Sequence, residues 1–586
     1  MPKSDLVFLH APSVYDFRHE SILYGPVSDL VPSTPVFEMY PIGFTALAEY
    51  LEQRGFRVRI INLAVRMLKS RRYDVEKVIR RQKPLAFGID LHWMPHAHGA
   101  IEVARLVKKH HPDRPVILGG FSASFFHEEL IARPEVDFVL RGDSTEEPLH
   151  LLMQHLASTD GHGPALADIP NLTWQDESGN TRVNPITYSP PNLDHVLLDY
   201  SYVVKAVARY RDMLSVVPFE DWLRYPVTAA LSCRGCIHDC NTCGGSITTM
   251  REVYGRQEIA FRSAEDLARD VRSIARWNRG PVFVLGDIRQ AGMDYAYKFL
   301  ELVKGVNDQL MFEVFGPTPR KFLIKMAKAA PKFTLEISPE SHDEEVRAAF
   351  GRHYSNAGLE RTIEDALAVG CQRFDLFFMI GLPQQTYDSV MGTVDYCQYI
   401  MEKFNAGDDS PRVIPFISPF APFLDPGSKV FMNPQAYGYR LIHRTLEEHR
   451  QALVQPSWKY VLNYETEWMN RDEIVAATYE AARRFNQMKA RYALISPAQA
   501  EATEARIKKA VRLSRQIDEI MAIEDDGRRF KLLRAIKPQV DTANMSTVCD
   551  KRELEVPMGL LKLNIPRAAW MFLSDTVRRK RKAGTV

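Results

Sequence analysis

Two series of short, almost wholly apolar runs, separated by helix-length amphipathic stretches, set the fold of this 586-residue chain. The first series lies at 6–9, 57–62, 84–90, 115–118 and 136–140, with helices expected near 40–51 and 98–110. The second lies at 227–231, 281–285, 311–315, 333–337, 374–380 and 413–416. A run that is apolar along its whole length is a strand buried on both faces. Strands that alternate with helices pair in parallel, with the helices covering the sheet. The expected fold class is therefore α/β twice over: a doubly wound domain at 1–156 and a second β/α domain at 226–434. Between them, 157–225 has little periodicity and many turn residues (Asp160-Gly-His-Gly-Pro164, Pro190-Pro191) and reads as a connector. Residues 13–38 read as a long polar loop. From 435 to 586 the chain reads as helical, with helices at 471–490 and 497–525 and Gly527 as a stop. No fixed-period repeat is present.

Composition narrows the function classes. Hydrophobic residues make up 45% and charged residues 25%, the mix of a folded globular protein. A net charge of +2 supplies no general field for nucleic acid, so none is expected as a partner. No apolar run reaches 18 residues, and the N-terminal segment turns polar too early for a secretory signal. A cytoplasmic location is the expectation.

Four of the seven cysteines fall within eleven residues, directly after the run at 227–231: Ser232-Cys-Arg-Gly-Cys-Ile-His-Asp-Cys-Asn-Thr-Cys-Gly-Gly245. In a reducing compartment such a cluster is a ligand set rather than a disulfide framework. Cys236, Cys240 and Cys243 have the spacing C-x3-C-x2-C, which gathers three soft thiolates around zinc or an iron–sulfur cluster. A zinc ribbon needs a second CxxC knuckle, and none follows. Three ligands on a four-iron cluster leave one iron open. Cys233 is read as filling a position for a small residue, and Cys371 and Cys397 as core fillers.

This spacing, at the end of the first strand of a β/α domain, resembles the radical SAM superfamily, in which S-adenosylmethionine (SAM) chelates the open iron. Arg234-Gly-Cys236 with Cys240 and Cys243 is the form seen in members with an N-terminal cobalamin domain. Those members carry an aromatic residue where this chain has Thr242. The resemblance extends through the domain. Gly286 and Asp287 match a glycine-rich acidic turn against the SAM amino group. Glu340 and Ser341 match the element near the ribose, and Gly381 the Gly-Leu-Pro turn after the fifth strand. Pro422-Phe-Leu-Asp-Pro-Gly-Ser428 matches the turn after the sixth. Arg352 is read as a solvated helix-end cation, with a SAM carboxylate contact as the alternative.

The first domain resembles a cobalamin-binding domain through Leu118-Gly-Gly-Phe-Ser122 and through Val136 to Pro148, where the acidic segment is Gly142-Asp-Ser-Thr-Glu146. The resemblance assigns Gly119, Gly120, Ser122 and Gly142 to cobalamin. A generic nucleotide site is the alternative, but no GxGxxG follows the first run. Asp90-Leu-His92 mimics the start of the D-x-H-x-x-G motif whose histidine ligates cobalt. That motif belongs after the first strand, so no histidine is expected to ligate cobalt through it.

The resemblance implies a 4Fe-4S cluster, SAM and cobalamin, with an electron donor such as flavodoxin or ferredoxin as partner. It implies methylation of an unactivated carbon of a small-molecule or lipid-like substrate, using a 5′-deoxyadenosyl radical and methylcobalamin. Cyclisation or rearrangement, or a cobalamin or redox sensor without turnover, are the alternatives. Residues 566–582 combine Trp570, Leu573 and Val577 with Arg578-Arg-Lys-Arg-Lys582. They read as a docked terminal helix or as a peripheral membrane contact.

Overall fold

The computed structural model describes residues 4–24, 42–158, 163–196, 201–215, 227–278, 280–307, 309–405, 411–419, 423–544, 564, 566–567 and 570. Most of the basic tail at 566–582, and residues 25–38 of the long loop, lie outside these. Among the described residues no helix is long and apolar enough to cross a membrane.

The first sheet has seven strands: β1 (Leu6–His10), β2 (Val58–Asn62), β3 (Ala86–Asp90), β4 (Val116–Gly119), β5 (Phe138–Leu140), β6 (Leu172–Gln175) and β7 (Thr181–Val183). Their order is β2-β1-β3-β4-β5-β6-β7. Every residue of β1, β2 and β3 is buried, which is why these runs are continuously apolar. The chain winds outward from β1 to β2, then returns to place β3 on the other side of β1. Connections therefore leave the carboxyl ends of β1 and β3 in opposite directions, and a crevice opens there.

The connector reading needs correction: β6 and β7 pair antiparallel onto β5 and extend the first sheet to Val183. All three residues of β7 are exposed, and β6 is buried only at Leu172 and Thr173. An edge hairpin this short and polar shows no hydrophobic period.

The second sheet contains β8 (Thr228–Leu231), β11 (Val282–Leu285), β12 (Leu310–Glu313), β13 (Thr334–Glu340), β14 (Arg373–Ile380) and β15 (Val413–Pro419). A two-stranded ribbon, β9 (Cys233–Arg234) with β10 (Ala260–Phe261), follows β8. The six strands run parallel in the order β15-β14-β13-β12-β11-β8, each beside its sequence neighbour, as a partial (β/α)6 barrel requires. All six expected runs are strands.

The C-terminal region is helical, with two departures from expectation. A hairpin of β16 (Tyr439–Leu441) and β17 (Tyr464–Thr466) precedes the helices. Gly527 does not stop a helix. The helix Pro497–Met521 ends first, Asp525 caps the next, and Gly527 lies in the opening turn of Asp526–Ala543. The capping aspartate, not the glycine, was the stronger local signal there. The helix Arg471–Arg491 returns to the barrel, where the Lys489 ammonium lies 5.6 Å from the Phe416 ring centre.

One glycine sets how closely the segment after β1 meets the helix after β3. Gly99, in the helix Ala97–His110, donates its N–H to the Ser13 carbonyl at 3.0 Å, and an added Cβ would lie 1.7 Å from the Pro12 carbonyl oxygen. Gly99→Ala must push backbone apart, so it is expected to cost about 1–3 kcal/mol by overpacking. Urea unfolding of the two chains measures this, and equal midpoints would refute it.

Candidate active site

The loop from Ser232 to Gly245 brings Cys236, Cys240 and Cys243 into one another's electrostatic reach. All three are free thiols, and burial raises each above the ordinary thiol range, Cys240 to about 11. Backbone N–H groups already point at two sulfurs: His238 at Cys236 Sγ (3.4 Å) and Gly245 at Cys243 Sγ (3.3 Å). Such donors favour thiolate once a metal displaces the protons. Among the described residues no three His, Cys, Asp or Glu side chains close around a single-ion position. Cys233 sits on β9, buried beside Ser232 and Gln290.

The turns after the barrel strands surround this loop. Gly286 adopts φ +84°, and an added Cβ would lie 2.9 Å from Ser232 Oγ and 3.2 Å from Cys233 Sγ. Its N–H donates to Glu313 Oε2 at 2.9 Å. Asp287, expected to accept from an ammonium, is instead committed to the turn. It takes both the Nε (2.9 Å) and Nη2 (2.5 Å) donors of Arg289 and the Phe315 N–H (2.9 Å). Ser341 Oγ likewise accepts the Asp343 N–H at 3.1 Å, and the Ser341 carbonyl is held by the fully buried Arg347. Gly381 at φ +98° accepts the Tyr439 hydroxyl (2.8 Å) and leaves room for Tyr464, whose hydroxyl would lie 2.5 Å from an added Cβ.

Glu340 and Arg352 are the open pair. Glu340 is buried at φ +69°, a left-handed conformation that costs a non-glycine residue energy. Its Oε2 has no partner, and burial, only partly offset by Arg352, raises its carboxyl to about 7. The solvated-cation reading of Arg352 is overturned. Its side chain is 11% exposed and donates to the Phe315 carbonyl (3.1 Å), with Nε 3.9 Å from Glu340 Oε1. Desolvation lowers the Arg352 pKa, and Cys240, Glu340 and Cys236 more than restore it. Its partners Phe315 and Glu340 come from the ends of other strands, so helix-end position alone misled.

A row of carboxyls went unread. Glu313, Glu336 and Asp375 lie in register across β12, β13 and β14. They occupy strand positions alternating with the core residues Phe312, Leu335 and Phe374. Burial, then Glu313 and Asp375, raises Glu336 well above the usual carboxyl range. The signal was present: a single acid interrupts each of three otherwise apolar runs.

The crevice of the first sheet holds a cavity of about 330 Å³. Gly119, Gly120 and Gly142 line it, with Asp90 and His92 from the end of β3. Ser122, expected there, is buried but not on the wall. Ser124 does the local work, donating to the Gly120 carbonyl (2.7 Å) and accepting the Gly142 N–H (2.9 Å). Leu231 and Arg234 complete the wall, so the first sheet and the cysteine loop share one space.

Buried ion pairs fix that junction. Arg234 donates to Ser144 Oγ (2.8 Å) and Glu146 Oε1 (2.7 Å), and Arg256 pairs with Asp143 and reaches Ser144 Oγ at 3.1 Å. Trp93 Nε1–H (3.1 Å) and the Gly244 N–H (2.8 Å) converge on half-buried Asp425, in the turn after β15. The Pro422 end of that turn lies outside the described residues.

Comparison with known proteins agrees. The B12 binding domain family matches residues 30–152, and the radical SAM superfamily matches residues 231–397. The chain carries a B12-binding domain followed by a radical SAM domain. It is 23% identical over 344 residues to the hopanoid C-3 methylase of Methylococcus capsulatus, covering 58% of this chain and 60% of that protein. The chain thus spans less than two thirds of that relative. The fold resembles the radical SAM methyltransferase TsrM of Kitasatospora setae (TM-score 0.51, 16% identity, 75% and 78% of the two chains covered). It also resembles the cobalamin-dependent SAM radical enzyme OxsB (TM-score 0.52, 13% identity, 99% and 80% covered).

The two domains imply a 4Fe-4S cluster, SAM and cobalamin, and the residues present fit them. Three free thiols, two of them met by backbone N–H donors, suit the cluster. The unpartnered Glu340 Oε2, with Arg352 and Cys240 in electrostatic reach, offers a buried polar edge for SAM. The glycine-walled cavity seats one edge of a large cofactor.

Two outcomes are expected. Cys236→Ala, Cys240→Ala or Cys243→Ala should reduce reconstituted iron from about four per chain to near zero, while Cys233→Ser keeps it, as an iron assay reads directly. For Glu146, burial raises the carboxyl but Arg234, with His195, brings it down to about 2 from 4.5. The pair's contribution is thus complete above about pH 4.5 and lost as pH falls towards 2. Arg234→Gln should cost about 3–5 kcal/mol at neutral pH by stranding a buried carboxylate. Denaturant unfolding should show that gap narrowing at about pH 3, and a pH-independent gap would refute the assignment.

Proposed function

We propose that the protein is a cobalamin-dependent radical SAM methyltransferase acting on an unactivated carbon of a small molecule. The observation that carries this is the shared wall: Arg234, two residues from the cluster ligand Cys236, lines the same cavity as Gly119, Gly120 and Gly142. When bound, the cluster supplies the electron that splits SAM, and cobalamin supplies a carrier for a methyl group.

The chain's own residues have separate tasks in this reading. Cys236, Cys240 and Cys243 hold the cluster. Glu340 and Arg352 bind SAM, with Gly286 and Gly381 allowing close backbone approach, while Asp287 and Ser341 act one step back by shaping their turns. Gly119, Gly120 and Gly142 seat cobalamin. The Glu313–Glu336–Asp375 row holds and exchanges protons in the barrel, because buried neighbouring carboxyls cannot all ionise. That wall suits a substrate bearing oxygen or nitrogen groups near the reacting carbon. The helix Arg471–Arg491 closes the barrel near Phe416. Similarity to a hopanoid C-3 methylase supports a lipid-like carbon skeleton, and an electron donor of the flavodoxin or ferredoxin kind is required.

Product stoichiometry tests the proposal. With substrate and reductant, methyl transfer yields one S-adenosylhomocysteine and one 5′-deoxyadenosine per methylated product. 5′-Deoxyadenosine alone would assign a cyclisation or rearrangement, and no SAM cleavage at all would refute an enzymatic role.

A further inference from the structure

Between Ser232 and Gly245, the stretch that carries the three cluster cysteines, one side chain is exposed. Ile237 is 50% exposed, whereas every other residue there is buried or half-buried. It directly follows Cys236. Its N–H donates to Gln290 Oε1 at 3.0 Å, which pins this part of the loop to the turn after β11. Just past Gln290 the chain is exposed again, at Gly292 and at Met293 (37% exposed), the head of the helix Met293–Val303. A single exposed isoleucine on a protein surface is ordinary. This one stands on the open side of the loop that holds the cluster ligands.

A cationic face adjoins it. From Val314 to Leu335 the chain has five basic residues and no acidic one. The helix Arg320–Ala329 buries Phe322, Leu323, Met326 and Ala329 and turns Lys321, Ile324, Lys325 and Lys328 outward. That spacing makes one stripe, about 10 Å long at the rise of an α-helix. Arg320 pairs with Asp365 at 2.9 Å, but Lys321, Lys325 and Lys328 meet no acid among the described residues. The turn that pins Ile237 also holds the start of this helix. Arg289, next to Gln290, donates to the carbonyls of Gly316 (3.2 Å) and Pro317 (3.1 Å), and its guanidinium stands 6.0 Å from the Phe322 ring centre. The exposed isoleucine and the lysine stripe are therefore carried by one packed unit.

We propose that Ile237, Met293 and the Lys321–Ile324–Lys325–Lys328 stripe form the docking surface for a small acidic electron-transfer protein. The inference rests on the radical SAM reading, in which a cluster held by Cys236, Cys240 and Cys243 must receive an electron. Position and charge both favour this occupant. The apolar part lies next to a cluster ligand, where a carrier has to bring its redox group. The unpaired lysines supply a rim of one sign, which steers an acidic partner and is sensitive to salt. An apolar centre with a charged rim is the ordinary anatomy of such an interface. In the step itself the carrier's flavin hydroquinone gives up one electron and becomes the semiquinone, and the oxidised cluster becomes singly reduced. No bond forms or breaks.

The test measures how fast the cluster is reduced. Full-length protein with reconstituted cluster is mixed with photoreduced flavodoxin, freeze-quenched, and read by the electron paramagnetic resonance signal of the reduced cluster. Dithionite, a small reductant that needs no docking, is the control. The flavodoxin rate constant should fall as salt rises. It should drop about tenfold or more in the triple variant Lys321→Glu, Lys325→Glu, Lys328→Glu, with the dithionite rate unchanged. Ile237→Ala should raise the flavodoxin concentration needed for half-maximal rate while keeping its iron. Should the charge-reversed chain lose its cluster, Lys321→Gln, Lys325→Gln, Lys328→Gln carries the test with the same expected sign. Unchanged flavodoxin rates in the lysine variants would overturn the inference. So would a wild-type cluster that dithionite reduces but neither flavodoxin nor ferredoxin does. Unchanged carrier rates together with lost binding to phosphatidylglycerol vesicles would assign the lysines to a lipid surface and overturn it too. A chain that takes up no iron would overturn the radical SAM reading itself.

Discussion

The buried charges that cross between the two sheets are the constraint on which the site depends. Arg234 and Arg256 come from the radical SAM domain, and Asp143 and Glu146 from the B12 domain, with Ser144 Oγ shared by both guanidiniums. All four charged side chains are 14% exposed or less. Desolvating such groups costs several kcal/mol per ion, so the pairs contribute little net stability. Their effect is selective. Any other docking of the domains strands guanidinium and carboxylate in a dry interface, so one orientation is populated. Because Arg234 lies two residues before Cys236, that orientation also sets where the cysteine loop stands relative to the crevice of the first sheet.

A second tie works from the other side of the loop. Asp425 accepts from Trp93, adjacent to His92, and from Gly244, adjacent to Cys243. Burial raises its carboxyl, and those two donors oppose the shift. One carboxylate thus joins the loop after β3, the cysteine loop and the turn after β15. Moving any one of the three breaks a part-buried hydrogen bond to that carboxylate. The cavity wall and the cluster loop are therefore mechanically one object, although their residues lie far apart along the chain.

This coupling explains what could be read in the sequence. Strands β1 to β5 and all six barrel strands were legible because a parallel strand covered on both faces must be apolar throughout. Cys236, Cys240 and Cys243 were legible because their ligand geometry is local to one loop. The misread residues have partners distant in sequence or concealed by the turn. Arg352 is defined by Phe315 and Glu340, and Asp287 is consumed by Arg289 and Phe315. The β6–β7 hairpin was missed for the opposite reason: its exposed residues carry no burial signal at all.

The acid row in the barrel follows from the same sheet geometry. In a parallel sheet each strand exposes alternate residues to one face, so one acid per strand in register makes a continuous line. Glu313 is already bound by the Gly286 N–H, at the turn beside the cysteine loop, and Asp375 by Arg373 at 2.8 Å. Glu336 lies between two anchored acids and bears the strongest reason to stay protonated. A carboxyl held in its protonated form is both donor and acceptor. The row runs from the turn next to the cysteine loop across three strands, so burial raises three carboxyls along one line that begins beside that loop.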